Sequence, residues 1–159
     1  MFEQFSDQAR IWMFGFEDKL NNEEVQTVYK HLSRFVRQWH AHGLPVRGDF
    51  KILFNRFVII VSDSELSGCS IDSMVQVFKD LRDDQGLNAL DDDLVYFDRD
   101  GKIIALQRHV FQDWVDQGKI DEHTPVYNLT PGNLGQWRAG LWRVPFGHSW
   151  HRQVFTQSV

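Results

Sequence analysis

The sequence is poor in residues that build covalently linked or metal-held scaffolds. Among its 159 residues it has one cysteine, Cys69, which excludes a disulfide framework and a zinc site made only of cysteines. It also has only 4 prolines and 11 glycines, and 42% of its residues are hydrophobic, so a disordered or collagenous chain is excluded. The length and composition are those of one globular domain.

Several motifs and targeting segments are also missing. The sequence contains no G-x-x-x-x-G-K-[ST] loop for nucleotide phosphates, and no G-x-G-x-x-G, G-x-S-x-G or H-E-x-x-H pattern. The longest apolar run, residues 57–61, is far shorter than the ~20 residues of a membrane-spanning helix. The N-terminus lacks the basic and apolar regions of a signal peptide. We therefore expect a cytoplasmic protein with no membrane segment.

Acidic residues are absent from residues 123–159, which carry three arginines, half of the six tryptophans and a net charge of +3. Residues 1–122 carry 14 basic and 22 acidic residues, a net charge of −8, and the total of −5 argues against broad nucleic-acid binding. We divide the chain into a core of residues 1–122 and an aromatic tail of residues 123–159, packed on the same domain. Two alternatives are open for the tail: it completes the core, or it forms a basic, aromatic-lined surface for a ligand or partner.

Hydrophobic periodicity predicts strands and helices in the first half of the chain. Residues 10–16 are apolar on both faces, which is typical of a strand in the middle of a sheet. An amphipathic helix follows, capped by Asn22. Residues 50–61 leave two alternatives open: a hairpin that turns at Asn55-Arg56, or one long strand after a turn at residues 48–49.

The second half continues the alternation and suggests a fold. A second helix begins near Ser67, residues 94–97 and 102–106 flank the strong hairpin signal Asp100-Gly101, and residues 110–115 predict a third helix. The order is β-α-β-β-α-β, followed by one strand and one helix. It predicts an α+β fold, a ferredoxin-like split β-α-β sandwich extended by a C-terminal hairpin strand, a helix and the aromatic tail. In that fold the first and third strands are central, and these are the two that are apolar on both faces.

Cys69 is the candidate catalytic residue. It lies between Gly68 and Ser70 at the predicted start of the second helix, where the helix dipole and free N–H groups favour a thiolate and attract anions. The alternative is a small buried cysteine, with Ser70 or Asp72 acting only as a helix cap.

The histidines and acidic residues give little support for a metal site. His148 and His151 are three residues apart, but no carboxylate accompanies them in the tail, and zinc needs three or four ligands. We expect no metal and no cofactor. His42-Gly43 is typical of a helix C-terminal cap. The acidic residues 80–93 lack the spacing of a calcium loop and indicate an exposed helix end and loop.

Six short segments are distinctive when taken together: ARIW at 9–12, WHAHG at 39–43, FNRF at 54–57, SGCSIDS at 67–73, WRVP at 142–145 and SWH at 149–151. They resemble a family of small uncharacterised bacterial proteins, some of which are labelled "ABC transporter ATPase". The missing phosphate loop gives that label no support. The resemblance implies where functional residues are to be sought: Cys69 as the catalytic candidate, and Trp39, His42, Asn55, Arg56, Ser70, Asp72 and Trp150 as ligand-binding candidates. We add His151, next to Trp150, to the ligand-binding candidates.

These observations favour a non-catalytic module that binds a ligand or a protein. The alternative is a small thiol-dependent enzyme or redox protein that uses Cys69 at the helix N-terminus. In the predicted fold Arg56 and Cys69 lie at opposite ends of one strand, so they are not expected to form one site. The expected partner is a small molecule or a protein, including a second copy in a homodimer; nucleic acid ranks last.

Overall fold

Helices and strands alternate along the chain in the computed structural model of the protein, which describes residues 2–156. The strands are β1 (Arg10–Gly15), β2 (His40–Ala41), β3 (Leu44–Pro45), β4 (Gly48–Leu53), β5 (Phe57–Ser62), β6 (Leu94–Arg99), β7 (Lys102–Gln107), β8 (Pro125–Tyr127) and β9 (Arg143–Pro145). The helices are α1 (Asn22–Gln38), α2 (Gly68–Gln85), α3 (Arg108–Asp116), α4 (Leu134–Arg138) and α5 (His151–Val154), with a 3-10 turn at Phe146–His148. No helix within residues 2–156 is long and apolar enough to cross a membrane.

The described strands form three antiparallel sheets, which confirms the α+β class. The first sheet has the order β1-β5-β4, the second is the hairpin β2-β3, and the third has the order β7-β6-β8-β9. In the first sheet Ile60 of β5 lies opposite Trp12 on one side and Phe50 on the other. Because β5 is antiparallel to both neighbours, β1 and β4 run parallel with β5 between them. This is the arrangement of a split β-α-β unit, with α1 in the connection.

The strand that follows α2 is not where the ferredoxin-like prediction places it. A ferredoxin-like sheet would pair this strand with β1. The strand is β6, and it pairs instead with β7 and β8 in the third sheet. The prediction that β1 is a central strand is therefore wrong, since β1 pairs with β5 alone among the described strands. β1 is apolar on both sides because both faces of its sheet are covered. Trp12 and Phe14 pack on the helix side, and Ile11 and Met13 pack on the opposite side with Leu134.

Capping boxes fix the starts of the two long helices. Asn21 accepts a hydrogen bond from the backbone N–H of Glu24 at 2.8 Å, and the Glu24 side chain accepts one from the Asn21 N–H at 2.9 Å. The cap of α1 therefore lies one residue before the predicted Asn22. At α2, Ser67 and Ser70 form the same reciprocal pair.

Two hairpins turn on residues with positive φ. Asp100 and Gly101 have φ values of 53° and 74° and join β6 to β7, which confirms the predicted hairpin. His42 and Gly43, with φ values of 53° and 75°, join β2 to β3. The prediction that His42-Gly43 caps a helix is therefore wrong, because α1 has already ended at Gln38.

Residues 50–61 form a hairpin rather than one long strand. Phe54 and Asn55 have φ values of 56° and 53°, and the Arg56 N–H donates to the Leu53 carbonyl at 3.0 Å. The hairpin alternative is therefore correct, but the turn is centred one residue earlier than Asn55-Arg56. This shift leaves Arg56 directly before β5, where its side chain is buried.

The described part of the aromatic tail is built into the core. β8 and β9 widen the third sheet, where Val126, Phe146 and Phe155 pack with Phe111 of α3. Leu134 of α4 packs beneath the first sheet. These contacts match the alternative in which the aromatic tail completes the core.

An aromatic cluster joins the two large sheets. The ring of Phe57 lies 5.2 Å from that of Tyr96 and 4.9 Å from that of Tyr127, between centroids, and Trp142 lies 5.5 Å from Tyr127. Tyr96 also covers Gly15, because a Cβ atom at residue 15 would lie 2.6 Å from the Tyr96 Cζ. The absence of a side chain at Gly15 thus lets β6 approach the first sheet.

We expect Gly15→Ala to lower the free energy of unfolding by about 1–3 kcal/mol, because the added methyl group overpacks the buried contact with Tyr96. The measurement is chemical denaturation of both proteins. Gly68→Ala is the matched control, since a Cβ there would meet no atom within 4 Å outside its own stretch of α2. Equal stabilities for Gly15→Ala and the unaltered protein would contradict the contact.

Candidate functional site

An open cleft of about 1020 Å³ lies between the β4–β5 turn and the third sheet. Its walls come from five separate parts of the chain. The lining residues are Lys19, Phe54, Asn55, Arg56, Asp98, Gly101, Lys102, Ile103, Ile104, Pro125, Tyr127 and Arg143. Two of the ligand-binding candidates from the sequence, Asn55 and Arg56, are among them. Its size is at the upper end of the range for small-molecule sites.

Arg56 holds one wall of the cleft in place. Its side chain donates hydrogen bonds to the backbone carbonyls of Phe16 at 3.0 Å and Glu17 at 2.6 Å, just after β1, and to that of Ile103 in β7 at 3.3 Å. The residue is only 8% exposed. A guanidinium has five N–H donors, so these three bonds leave others free on a residue that lines the cleft.

The charge of Arg56 is not balanced by an ion pair within residues 2–156. Its three acceptors are neutral carbonyl groups, and burial lowers the pKa of the guanidinium below its ordinary value. Asp18 acts on this charge through space but forms no ion pair with it and does not line the cleft. The site therefore contains a desolvated cation without a carboxylate partner, which favours a bound anion.

A second polar group lies on the third sheet. The Tyr127 hydroxyl donates to Asp98 Oδ1 at 2.7 Å, and Arg143 Nε donates to Asp98 Oδ2 at 2.8 Å. Burial, followed by the bond to Asp98, raises the pKa of Tyr127 to about 12, so the hydroxyl stays protonated at neutral pH. The hydrogen bond to Asp98 also raises the pKa of the Arg143 guanidinium above its ordinary value. The single carboxylate of the cleft is thus engaged by its own neighbours.

The cleft as a whole is cationic. Besides Arg56 and Arg143 it contains Lys19 and Lys102, for which the described residues provide no ion pair. Four cationic side chains against Asp98 give an excess of three positive charges, in a chain whose net charge is −5. A small anion therefore meets local attraction on a protein that repels anions overall.

Aromatic rings also border the cleft. Phe54 at the hairpin turn is 59% exposed, and its ring is stacked on Trp142 with the centroids 6.0 Å apart. Trp142 in turn contacts Tyr127. Ile103, Ile104 and Pro125 add aliphatic surface to the lining, whose residues, taken from positions 2–156, include no cysteine, serine, threonine or histidine.

Two of the predicted ligand-binding residues, Trp39 and Ser70, are buried in the core away from the cleft. Trp39 follows α1 and is 2% exposed, and its Nε1–H donates to the Ser70 carbonyl at 2.8 Å. The Ser70 hydroxyl belongs to the capping box of α2. In this structure both residues join the end of α1 to the start of α2.

Three more predicted residues are exposed outside the cleft. His42 lies in the β2–β3 turn, and Asp72 lies in α2. Cys69, the catalytic candidate, is a free exposed thiol in the first turn of α2. Within residues 2–156 the structure gives its Sγ no hydrogen-bond partner.

Trp150 and His151 lie together near the C-terminus, and neither lines the cleft. The Trp150 indole N–H donates to Asn128 Oδ1 at 3.2 Å, and its ring is stacked on that of His151 at 3.8 Å between centroids. His151 is 3% exposed, and its Nδ1 shares a hydrogen bond of 2.5 Å with Ser149 Oγ. Burial, followed by the charge of Arg108, lowers the pKa of His151 to about 4. Within residues 2–156 no group of three or more potential ligands could hold a metal ion.

Sequence reasoning missed the other charged and aromatic residues of the cleft. Asp98 and Arg143 bond to each other across 45 positions of sequence, and only the β6–β8–β9 pairing brings them together. The Asp100-Gly101 turn signal does locate Lys102 at a hairpin, but it does not say what that hairpin faces. Comparison with protein-family models, curated proteins and solved structures gave no match to this chain.

We expect the protein to lose stability as the pH falls from about 6.5 to about 4, because His151 takes up a proton in the unfolded chain before it does so when folded. The full contribution is about 3 kcal/mol from the size of that shift. His151→Phe keeps a ring beside Trp150 and removes this part of the pH dependence. The measurement is the denaturation midpoint against pH.

His123→Gln is the control, because it removes an exposed histidine instead of a buried one. Identical pH profiles for His151→Phe and the unaltered protein would show that His151 does not titrate as its burial requires.

Proposed function

We propose that the protein is a non-catalytic cytoplasmic module that binds a small molecule in the cleft between the β4–β5 turn and the third sheet. The observation that carries this proposal is the convergence of five chain segments on one concave surface with both polar and apolar walls. Membership of the family of small bacterial proteins that the sequence resembles is part of the same proposal.

Several side chains of the cleft walls are held in one conformation by hydrogen bonds, which supports binding to a preformed site. Arg56 is fixed by its three carbonyl acceptors, and Tyr127 and Arg143 are fixed by Asp98. The aromatic cluster behind them is buried, with Phe57 fully inaccessible. A ligand therefore meets side chains that are already ordered, which reduces the entropy lost on binding.

The lining, taken from the described residues, lacks the paired nucleophiles of serine and cysteine enzymes. It offers neither a thiol nor a hydroxyl paired with a histidine, the arrangement that activates a nucleophile. The thiol-dependent alternative places its chemistry at Cys69, which is exposed on α2 outside the cleft.

The test is a fragment screen by ¹⁵N–¹H correlation spectroscopy with neutral, anionic and cationic compounds. We expect the shifted amides to cluster at residues 19, 54–56, 101–104 and 127. Ile103→Trp enlarges a lining side chain that also packs against the aromatic cluster around Phe57, and the larger ring is expected to abolish these shifts by occupying the space.

Lys51→Trp is the matched control, because residue 51 is exposed on the edge strand β4 and does not line the cleft. The spectrum of each variant also reports whether it is folded. Shifts that lie outside the cleft, or that persist in a folded Ile103→Trp variant, would refute the proposed site.

A further inference from the structure

The cations of the cleft are grouped on one side by backbone hydrogen bonds. The Leu20 N–H donates to the Asn55 carbonyl at 2.8 Å, which places Lys19 beside the β4–β5 turn. Arg56 bonds to the carbonyl of Ile103, the residue that follows Lys102. Lys19, Arg56 and Lys102 thus belong to one basic side, which the two hairpin turns bring together.

This basic side has no carboxylate of its own. Asp98 is the one acidic residue of the lining, and it accepts hydrogen bonds from Tyr127 and Arg143. The described residues supply no ion pair for Lys19, Arg56 or Lys102. An anion bound there gains charge-assisted hydrogen bonds without first breaking an internal salt bridge.

The lining of the cleft also contains aromatic and aliphatic side chains. Phe54 and Tyr127 both contact Trp142, with the rings 6.0 Å and 5.5 Å apart between centroids. Phe54 keeps more than half of its surface exposed although its ring is stacked on one side. A planar apolar group of a ligand can cover the exposed face of such a ring.

We propose that the ligand is a small organic anion, a carboxylate or phosphate attached to a planar apolar body. The anionic group binds at Lys19, Arg56 and Lys102, and the planar body lies against the exposed ring of Phe54. This inference rests on the proposed function, since it names the class of molecule that the same cleft binds. A carboxylate and a phosphate share the chemistry that a basic side recognises, and the test separates them.

The probes are benzoate, phenyl phosphate, benzyl alcohol and benzylamine, titrated into the labelled protein while the cleft amides are followed. The four molecules share a phenyl ring and differ in charge. We expect benzoate or phenyl phosphate to bind at least tenfold more tightly than benzyl alcohol, and benzylamine to bind least. The tighter of the two anions identifies the preferred head group.

Charge reversal tests the basic side without touching Arg56, whose bonds hold the two sheets together. Lys19→Glu with Lys102→Glu is expected to weaken binding of the preferred anion by about tenfold or more, as the loss of several screened attractions requires. Lys30→Glu with Lys51→Glu is the control, because it changes the net charge equally at exposed positions outside the lining. The control is expected to bind the anion with little change.

The outcomes separate this inference from the proposed function. Binding of benzyl alcohol as tight as that of benzoate and phenyl phosphate, or equal losses in the two double variants, would overturn the anion class while the cleft remains a ligand site. Fragments that bind the cleft when neither anion does would have the same meaning. If no compound of any charge shifts the cleft amides, both the inference and the proposed function are wrong.

Discussion

The hydrogen bonds of Arg56 tie the two large sheets of the protein together. One guanidinium reaches the carbonyls that follow β1 and a carbonyl within β7, so it spans the junction that no strand pairing crosses among the described residues. Such a junction must be held by side chains. The buried aromatic cluster around Phe57 supplies the apolar part of that contact. Arg56 and the Tyr96 hydroxyl, which donates to the Phe16 carbonyl at 3.4 Å, supply its polar part.

This way of joining the sheets explains why the cleft exists. A continuous sheet would have paired β6 with β1 and closed the space between the β4–β5 turn and the β6–β7 hairpin. Because β6 instead belongs to the third sheet, the β4–β5 turn and the β6–β7 hairpin face each other across a gap. Gly15 permits the close approach of Tyr96 at the base of that gap, and the charged residues remain at its rim.

Sequence reasoning succeeded where the signal was local. The Asp100-Gly101 turn and the starts of α1 and α2 depend on residues within four positions of each other, and each was placed within one residue. The prediction that β1 is a central strand failed. Apolar residues on both faces indicate that both faces of the strand are covered, but they do not reveal how many strands pair with it. Among the residues that line the cleft, sequence reasoning identified only Asn55 and Arg56 as candidates. The other charged residues of the cleft depend on pairings between distant strands, which leave no periodic trace in the sequence.

The two walls of the cleft come from parts of the chain that are synthesised at different times. Lys19 is near the N-terminus and Arg143 is near the C-terminus, and β8 and β9 must join β6 before Tyr127 and Arg143 reach Asp98. A growing chain that does not yet include residues 125–143 therefore lacks the wall of the cleft that contains Pro125, Tyr127 and Arg143. A molecule held between these walls binds only the completed fold, so its binding energy adds to the stability of the whole chain.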